Sequence, residues 1–138
     1  MILIIDNYDS FTHNLFQIVA LFHKEVRVIR NDKINIDEIS QQKPCGIILS
    51  PGPGRPENAG ICVDLIRFLL LSATPIPLLG VCLGHQAIVV ALNGQVISSP
   101  EICHGKQSSI FHCQNGLYQS LSSPFQVGRY HSLLAERE

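Results

Sequence analysis

Cys82 lies between two glycines, Gly80 and Gly84, where an apolar run of the sequence changes to a helical pattern. This Gly-x-Cys-x-Gly spacing is the cysteine form of the nucleophile elbow, a tight turn from a strand into a helix. We expect that a side chain at either glycine would clash with its neighbours. The amino terminus of the helix supplies free N–H groups and partial positive charge, which we expect to favour the thiolate. The segment therefore predicts that Cys82 is a nucleophile.

A second chemical feature is the Ser-Pro-Gly-Pro-Gly loop at residues 50–54, which follows a short apolar run. Alternating proline and glycine give a stiff loop whose N–H groups can point at a ligand. No Lys-Ser or Lys-Thr follows, which argues against a phosphate-binding P-loop. Taken alone, the loop is typical of a rigid turn. Beside a cysteine elbow it favours an oxyanion hole, for which the amides of Gly52 and Leu83 are the natural donors.

The sequence does not identify the histidine base that such a thiol normally requires. His85 lies three residues after Cys82 and is expected to pack or cap, and His104 lies in a predicted turn. His131 follows a predicted strand and is the best placed of the remaining candidates. Gln86 either holds a polar substrate or faces solvent, and its spacing leaves both interpretations open.

The other cysteines are expected to act as small hydrophobic residues. They are Cys45, Cys62, Cys103 and Cys113. An odd total of five, without Cys-x-x-Cys spacing, argues against a disulfide framework or a zinc site. Reduced thiols in the cytoplasm are the simpler interpretation, and no metal is expected.

Composition limits the classes of partner that the chain could have. With a net charge of -1, the 138 residues offer no electrostatic reason to propose nucleic acid or an anionic membrane. The opening Met-Ile-Leu-Ile-Ile has no basic leader and is interpreted as a strand, not as a signal peptide. Pro75 and Pro77 interrupt the apolar stretch over 65–81, which is therefore not expected to span a bilayer.

Short apolar runs alternate with helical patterns up to Gly94. Strands are predicted over 2–5, 26–29, 46–49 and 78–81, and helices after Asp9-Ser10, over 58–72 and over 83–93. The helical residues expected to face the core are Leu15, Ile18, Val19 and Phe22, then Ile61, Leu65, Phe68 and Leu69. This alternation predicts an α/β domain with a parallel sheet covered on both faces. Strand-like pieces over 95–97, 108–112 and 126–130 predict a small antiparallel extension, and the whole of 1–138 is interpreted as one domain.

Five motifs spread along the chain closely resemble the class I, triad-type glutamine amidotransferases. The resemblance is to the small subunits of anthranilate synthase and aminodeoxychorismate synthase, and it covers essentially all 138 residues. The motifs are Met-Ile-Leu-Ile-Ile-Asp-Asn-Tyr-Asp-Ser-Phe over 1–11, the loop 50–54, Gly-Val-Cys-Leu-Gly-His-Gln over 80–86, His-Gly-Lys over 104–106, and Gly-Arg-Tyr-His-Ser-Leu over 128–133.

The resemblance implies a flavodoxin-like, doubly wound sheet and the hydrolysis of glutamine to glutamate and ammonia. Cys82 would form a glutamyl thioester, with the Gly52 and Leu83 amides as the oxyanion hole. The implied substrate-binding residues are Gly52, Pro53, Gly54, Gln86, Ser132 and Leu133. Ammonia would pass to a separate chorismate-using synthase subunit. The implied partner-facing residues are Asp9, Ser10, Phe11, His104 and Lys106, and no cofactor is expected.

The sequence departs from this family at one point. The family carries its base and orienting acid in a His-Pro-Glu segment downstream of the Tyr-His-Ser-Leu motif, and the 138 residues contain no such segment. We therefore expect that about the last quarter of the usual domain is missing and that apolar surface is left uncovered. Two alternatives to an active glutaminase are an inactive synthase- or glutamine-binding module, and a different cysteine enzyme of similar fold that uses His131 or His85 as its base.

Overall fold

The computed structural model describes residues 1–136, in which four parallel strands form the first sheet. The strands are β1 (Ile2–Asp6), β2 (Val26–Arg30), β3 (Gly46–Leu49) and β4 (Leu78–Gly80). Their order across the sheet is β2-β1-β3-β4, with Ile2 opposite both Val26 and Gly46. This order matches the first four strands of flavodoxin-like folds. The predicted fold class is confirmed, and the four predicted strands agree to within one residue at each end.

Four helices connect and flank these strands. They are α1 (Thr12–Ala20), α2 (Ile36–Gln42), α3 (Cys62–Leu71) and α4 (Leu83–Ala91), and a 3₁₀ turn at Pro56–Asn58 precedes α3. Helix α2 was not predicted from the spacing of apolar residues. A capping box marks its start: the Asn35 side chain accepts the Glu38 N–H at 2.9 Å, and the Glu38 carboxylate accepts the Asn35 N–H at 2.9 Å. No helix of residues 1–136 is long and apolar enough to cross a membrane.

The core lies between one face of the sheet and the helices α3 and α4. Leu3 and Ile5 of β1 alternate with Ile4, so they share a face with Ile47 and Leu49 of β3. These four side chains belong to one buried cluster. The helices contribute Leu65, Ile66, Leu83 and Ala87 to the same cluster. The carboxyl ends of β1 and β3 are thereby held rigidly, which matters because the candidate site is built there.

Leu65 provides the strongest single test of this core, because its side chain is fully buried, with 0% exposure. Leu65→Ala is expected to lower the free energy of unfolding by about 2–5 kcal/mol, through lost burial and the cavity left behind. Leu71→Ala is the matched control on the same helix, since Leu71 is 89% exposed, and we expect a change within about 0.5 kcal/mol. Urea unfolding followed by circular dichroism measures both, and equal effects would contradict this description of the core.

The other face of the sheet is covered less completely than predicted. Helix α1 packs on β1 and β2, yet Ile18 is 56% exposed and Phe22, beyond the helix end, is 86% exposed. Leu79 of β4 pairs with Ile48 on this face and is 44% exposed. On α3, which covers the first face, Phe68 is also 43% exposed. The prediction that Ile18, Phe22 and Phe68 face the core is therefore wrong, because the neighbouring elements do not extend far enough to cover them.

The predicted start of α1 is also corrected. Phe11, not the Asp9-Ser10 pair, is the residue before the first helical turn, and no side chain caps it. The Asp9 carboxylate instead accepts the Phe11 N–H at 2.8 Å within the preceding loop. The Asp6 carboxylate accepts the Thr12 hydroxyl at 2.8 Å. Asp6 and Asp9 therefore order the loop after β1 and leave the helix amino terminus without a side-chain cap.

A second compact unit, residues 97–134, contains a two-stranded antiparallel sheet. Its strands are β5 (Val96–Ile110) and β6 (Phe125–Ala135), with a 3₁₀ turn at Gly116–Tyr118 between them. The three predicted strand-like pieces are thus parts of two long strands. His104 lies within β5 and His131 within β6, which corrects their predicted positions in a turn and after a strand. Gly105, at φ +73°, allows β5 to continue through the predicted turn.

Candidate active site

Cys82 directly precedes α4 and has a backbone conformation that side-chain-bearing residues rarely adopt, with φ 53° and ψ -106°. Such a residue carries about 1–3 kcal/mol of strain and persists only where its surroundings over-determine it. A Cβ at Gly80 would lie 2.5 Å from the carbonyl carbon of Gly84. A Cβ at Gly84 would overlap the carbonyl oxygen of Leu49 and lie 2.6 Å from its Cβ. The predicted steric need for both glycines is therefore confirmed.

Backbone hydrogen bonds connect this elbow to the sheet. The Val81 N–H donates to the Leu49 carbonyl at 3.0 Å, which extends the β3–β4 pairing by one residue. The Gly84 N–H donates to Val81 and the Gln86 N–H to Cys82, each at 3.0 Å. The turn is thus closed on both sides of the cysteine, and the elbow lies at the carboxyl end of β4.

The Ser-Pro-Gly-Pro-Gly loop follows β3 and approaches the elbow closely. A Cβ at Gly52 would lie 2.7 Å from Cδ2 of Leu83 and 2.6 Å from the Cβ of Asn7. The structure therefore brings together the two residues whose amides were predicted to form an oxyanion hole. Gly54 has φ +76°, and Pro53 is exposed. Both segments lie at the carboxyl ends of their strands, the edge at which ligands bind in open α/β sheets.

Asn7 holds this loop in place, a role that the sequence analysis missed. Its N–H donates to the Ser50 hydroxyl and its side-chain amide to the Ser50 carbonyl, both at 2.8 Å. Its Oδ1 accepts the Asn31 side-chain amide at 2.9 Å and the Cys62 thiol at 3.1 Å. Asn7 is only 3% exposed, so the network is sheltered from water. The position of Asn7, a polar residue directly after a buried strand, was the sequence feature that could have indicated this role.

Cys62 fits the predicted role of a buried, unreactive cysteine. Burial raises the pKa of the Cys62 thiol to about 11, against the opposing effect of its hydrogen bond to Asn7. Cys103 is also buried, at 2% exposure, whereas Cys45 and Cys113 are exposed. The prediction that all four serve as small hydrophobic residues is therefore wrong for Cys45 and Cys113. All five cysteines are free thiols in this structure.

The electrostatics of Cys82 differ from the prediction. Cys82 is an exposed residue, yet partial burial of its sulfur raises the pKa of the thiol. The Leu83 N–H lowers this pKa by hydrogen bonding to the sulfur, and the Asp9 carboxylate raises it by charge repulsion. The net direction is upward, so the helix amino terminus alone does not produce a thiolate. The described residues thus hold Cys82 mainly as a thiol.

The raised pKa of the Cys82 thiol predicts how its reactivity depends on pH. Because the thiolate is the nucleophile and the pKa is raised, alkylation of Cys82 by iodoacetamide should rise with pH through an apparent pKa above that of free cysteine. Asp9→Asn removes the repelling charge while its amide oxygen still accepts the Phe11 N–H, so the apparent pKa should fall. Peptide mass spectrometry measures both profiles, and an unchanged or raised apparent pKa in Asp9→Asn would contradict the assignment.

Gln86 lies one turn into α4, and only 7% of it is exposed. This excludes the interpretation in which its side chain simply faces solvent. His85 lies on the same helix and is exposed, so the expectation that its side chain packs against the protein is wrong. Within residues 1–96, no histidine is hydrogen-bonded to the Cys82 thiol.

The remaining predicted site residues belong to the second unit. Ser132 is exposed and Leu133 half-buried on β6. His131 accepts the Arg129 side-chain N–H at 3.0 Å, and its Nδ1 lies 3.1 Å from the Leu133 carbonyl. Both ring nitrogens therefore have partners within this unit, which disfavours His131 as a free base.

The predicted partner-facing residues lie in two places. In the first unit, Phe11 is 61% exposed beside the exposed Ser10, while Asp9 is half-buried. In the second unit, Lys106 forms a 2.6 Å ion pair with Glu101, which raises the pKa of Lys106 and lowers that of Glu101. The His104 ring packs edge-on against Tyr130 at 5.3 Å. Residues 1–136 contain no cluster of three or more His, Cys, Asp or Glu side chains able to hold a metal ion.

The strand order and the strained cysteine between two glycines define a flavodoxin-like α/β protein with a cysteine at a strand-to-helix elbow. Residues 3–138 match the family described as glutamine amidotransferase class-I, and the chain belongs to this family. The resemblance noted from the sequence motifs is thereby confirmed.

Individual relatives agree with this assignment. The chain is 50% identical over 138 residues to anthranilate synthase component 2 of Cyanophora paradoxa, covering 100% of this chain and 71% of that protein. It is 47% identical over 136 residues to aminodeoxychorismate synthase component 2 of Escherichia coli K12, covering 99% and 71%. A glutamine amidotransferase structure from Thermotoga maritima superposes with a TM-score of 0.74 at 16% identity, covering 98% of this chain and 61% of that one. The last similarity shows the fold alone.

Proposed function

We propose that this chain is the glutamine-hydrolysing subunit of a chorismate-using synthase. The observation that carries the proposal is Cys82 at positive φ between two obligatory glycines, with the Gly52 loop against Leu83. Relatives named as component 2 of anthranilate synthase and of aminodeoxychorismate synthase support the choice of partner reaction. In this proposal, residues 1–138 act as one amidotransferase domain in the cytoplasm, and ammonia is delivered to a separate synthase subunit.

The reaction would proceed by nucleophilic catalysis. The Cys82 thiolate attacks the side-chain amide carbon of glutamine, and the N–H groups of Gly52 and Leu83 stabilise the resulting oxyanion. Collapse of this intermediate breaks the C–N bond, releases ammonia and leaves a glutamyl thioester, which water then hydrolyses to glutamate. The Leu83 N–H lowers the pKa of the Cys82 thiol, which supports its placement next to the attacking sulfur.

Substrate binding would use the residues around the elbow. Gln86 is buried one turn beyond Cys82, and together with the loop residues Pro53 and Gly54 it would bind glutamine. For Ser132 and Leu133 of the second unit, a role in binding the α-amino and carboxylate groups of glutamine rests on the family resemblance alone. A general base is still needed, because the thiol pKa is raised and no histidine of residues 1–96 is hydrogen-bonded to Cys82.

Each of the two units would make its own contacts with the synthase subunit. Phe11 offers an exposed ring beside Ser10 and Asp9, and the His104–Lys106 segment offers basic groups. We propose that these residues dock the chain on the synthase subunit.

A second candidate function is that of a synthase- or glutamine-binding module without turnover. Two observations favour this binding module. The pKa of the Cys82 thiol is raised, and no histidine of residues 1–96 is hydrogen-bonded to that thiol. Loss of a general base typically lowers rates by about 10²–10⁴-fold.

The test is glutamate release from glutamine by the purified chain, with and without a chorismate-binding synthase subunit. Cys82→Ala is the control for thiol-dependent turnover. Turnover that disappears in Cys82→Ala would support the glutaminase proposal. A folded chain that binds glutamine or the synthase without turnover would support the binding module. Turnover that persists in Cys82→Ala would overturn the proposed mechanism.

A further inference from the structure

Cys45 is exposed and lies beside a histidine at the opposite end of the sheet from Cys82. Cys45 directly precedes β3, whereas Cys82 follows the end of the neighbouring parallel strand β4. The Cys45 sulfur is 3.5 Å from Nε2 of His23, which lies between α1 and β2. Neither residue takes part in the proposed glutaminase reaction.

The backbone of the first unit holds both side chains of this pair. The Cys45 N–H donates to the Met1 carbonyl oxygen at 2.9 Å, and the Cys45 thiol donates to the same oxygen at 3.2 Å. The His23 N–H donates to Val19 at 2.9 Å, at the end of α1. The pair therefore connects the ends of two elements that pack on the same strand, β1.

A third group orients the imidazole. His23 Nδ1 lies 3.1 Å from the Glu25 carbonyl oxygen and 3.3 Å from the Glu25 backbone nitrogen, so its partner depends on which ring nitrogen carries the proton. The Glu25 carbonyl oxygen is itself held by the Ile2 N–H at 2.8 Å. When Nδ1 carries the proton and donates it to Glu25, Nε2 presents its lone pair to the Cys45 thiol. Thiol, imidazole and orienting acceptor then have the arrangement of an activated nucleophile.

We propose that Cys45 is a second reactive thiol, activated by His23 for exchange with small disulfides. His23 Nε2 takes the thiol proton, and the Cys45 thiolate attacks one sulfur of a disulfide R–S–S–R. The S–S bond breaks as the new Cys45–S–S–R bond forms. The departing thiolate takes the proton from His23 and leaves as R–SH. Cys45 is thus oxidised to a mixed disulfide, and the other half of the disulfide is reduced to a thiol.

The test treats the fully reduced chain with oxidised glutathione and follows each cysteine by peptide mass spectrometry. Cys113 is the internal reference, since it is also exposed. We expect Cys45 to form the mixed disulfide about tenfold faster than Cys113. This ratio is smaller than the rate increase of about 10²–10⁴-fold that a general base typically gives in an enzyme. His23→Gln should remove this advantage without changing the rate at Cys113.

The matched control is His85→Gln, the same substitution at an exposed histidine of α4, which should leave the Cys45 rate unchanged. If His23 had a purely structural role, His23→Gln would change the Cys45 rate in the opposite direction. Loosening this end of the sheet would expose the thiol further and speed its reaction. Equal rates at Cys45 and Cys113, or an unchanged or faster Cys45 in His23→Gln, would overturn the proposal. These outcomes do not depend on whether the chain hydrolyses glutamine.

Discussion

Gly84→Ala is expected to destabilise the chain by about 3 kcal/mol, although it adds only one methyl group. The new Cβ would overlap the Leu49 carbonyl oxygen and lie 2.6 Å from the Leu49 Cβ. Leu49 is fully buried in β3, so it cannot move away without disturbing the core. Helix α4 would have to separate from the sheet, and Cys82 would move with it. Urea unfolding measures the loss of stability, and the rate of Cys82 alkylation reports the displacement of the nucleophile.

Gly128→Ala is the control for the chemical change itself. A Cβ at Gly128 would lie 3.4 Å from its nearest neighbour, the Tyr130 ring, which is an ordinary contact. Where the backbone tolerates it, replacing glycine by alanine changes stability by less than about 1 kcal/mol and often increases it. If Gly84→Ala and Gly128→Ala had similar free energies of unfolding, the close packing of the elbow against β3 would be wrong.

Gly52→Ala is expected to lower glutamine turnover by about 10²–10³-fold, the usual effect of losing one oxyanion-hole donor. Its Cβ would lie 2.6 Å from the Asn7 Cβ and 2.7 Å from Leu83 Cδ2, so the loop has to shift. Asn7 cannot yield easily, because its amide is hydrogen-bonded on both sides within a buried network. The Gly52 N–H would then point away from the developing oxyanion.

Two measurements separate this effect from a general loss of structure. The steady-state rate of glutamate release reports the oxyanion hole, whereas alkylation of Cys82 by iodoacetamide requires no oxyanion and should keep its rate within about threefold. Gly128→Ala again serves as the control and should retain full turnover. Full turnover in Gly52→Ala would exclude its amide as an oxyanion donor, and loss of both readings would indicate local unfolding.

The elbow and the loop are the parts of the site that local patterns predicted well. Gly80, Cys82 and Gly84 follow one another at a fixed spacing, and the steric need for each glycine arises within that turn or against the adjacent strand. The alternation of apolar runs and helical patterns likewise predicted the four parallel strands, since the period of a pattern is a local property.

Other features depend on contacts between residues far apart in the chain. Asn7 and Ser50 are 43 positions apart, and Cys62 and Asn7 are 55 apart, so their hydrogen bonds could not be predicted from spacing. The exposure of Phe22 and Phe68 depends on how far the packed elements extend over them. The pKa of Cys82 depends on burial and on the Asp9 charge, which outweigh the effect of the helix amino terminus.

By itself, the sequence determined the family and the flavodoxin-like class of the fold, because these rest on short motifs whose geometry is local. It also singled out Cys82 as the candidate nucleophile. Only the tertiary structure decided that Asn7 anchors the loop 50–54, that Gln86 is buried and that the Cys45 sulfur lies beside His23. The physical reason is the same in each case. Parallel strands bring together segments that the chain separates by a crossover, and hydrogen bonding, burial and charge act through that space and not along the sequence.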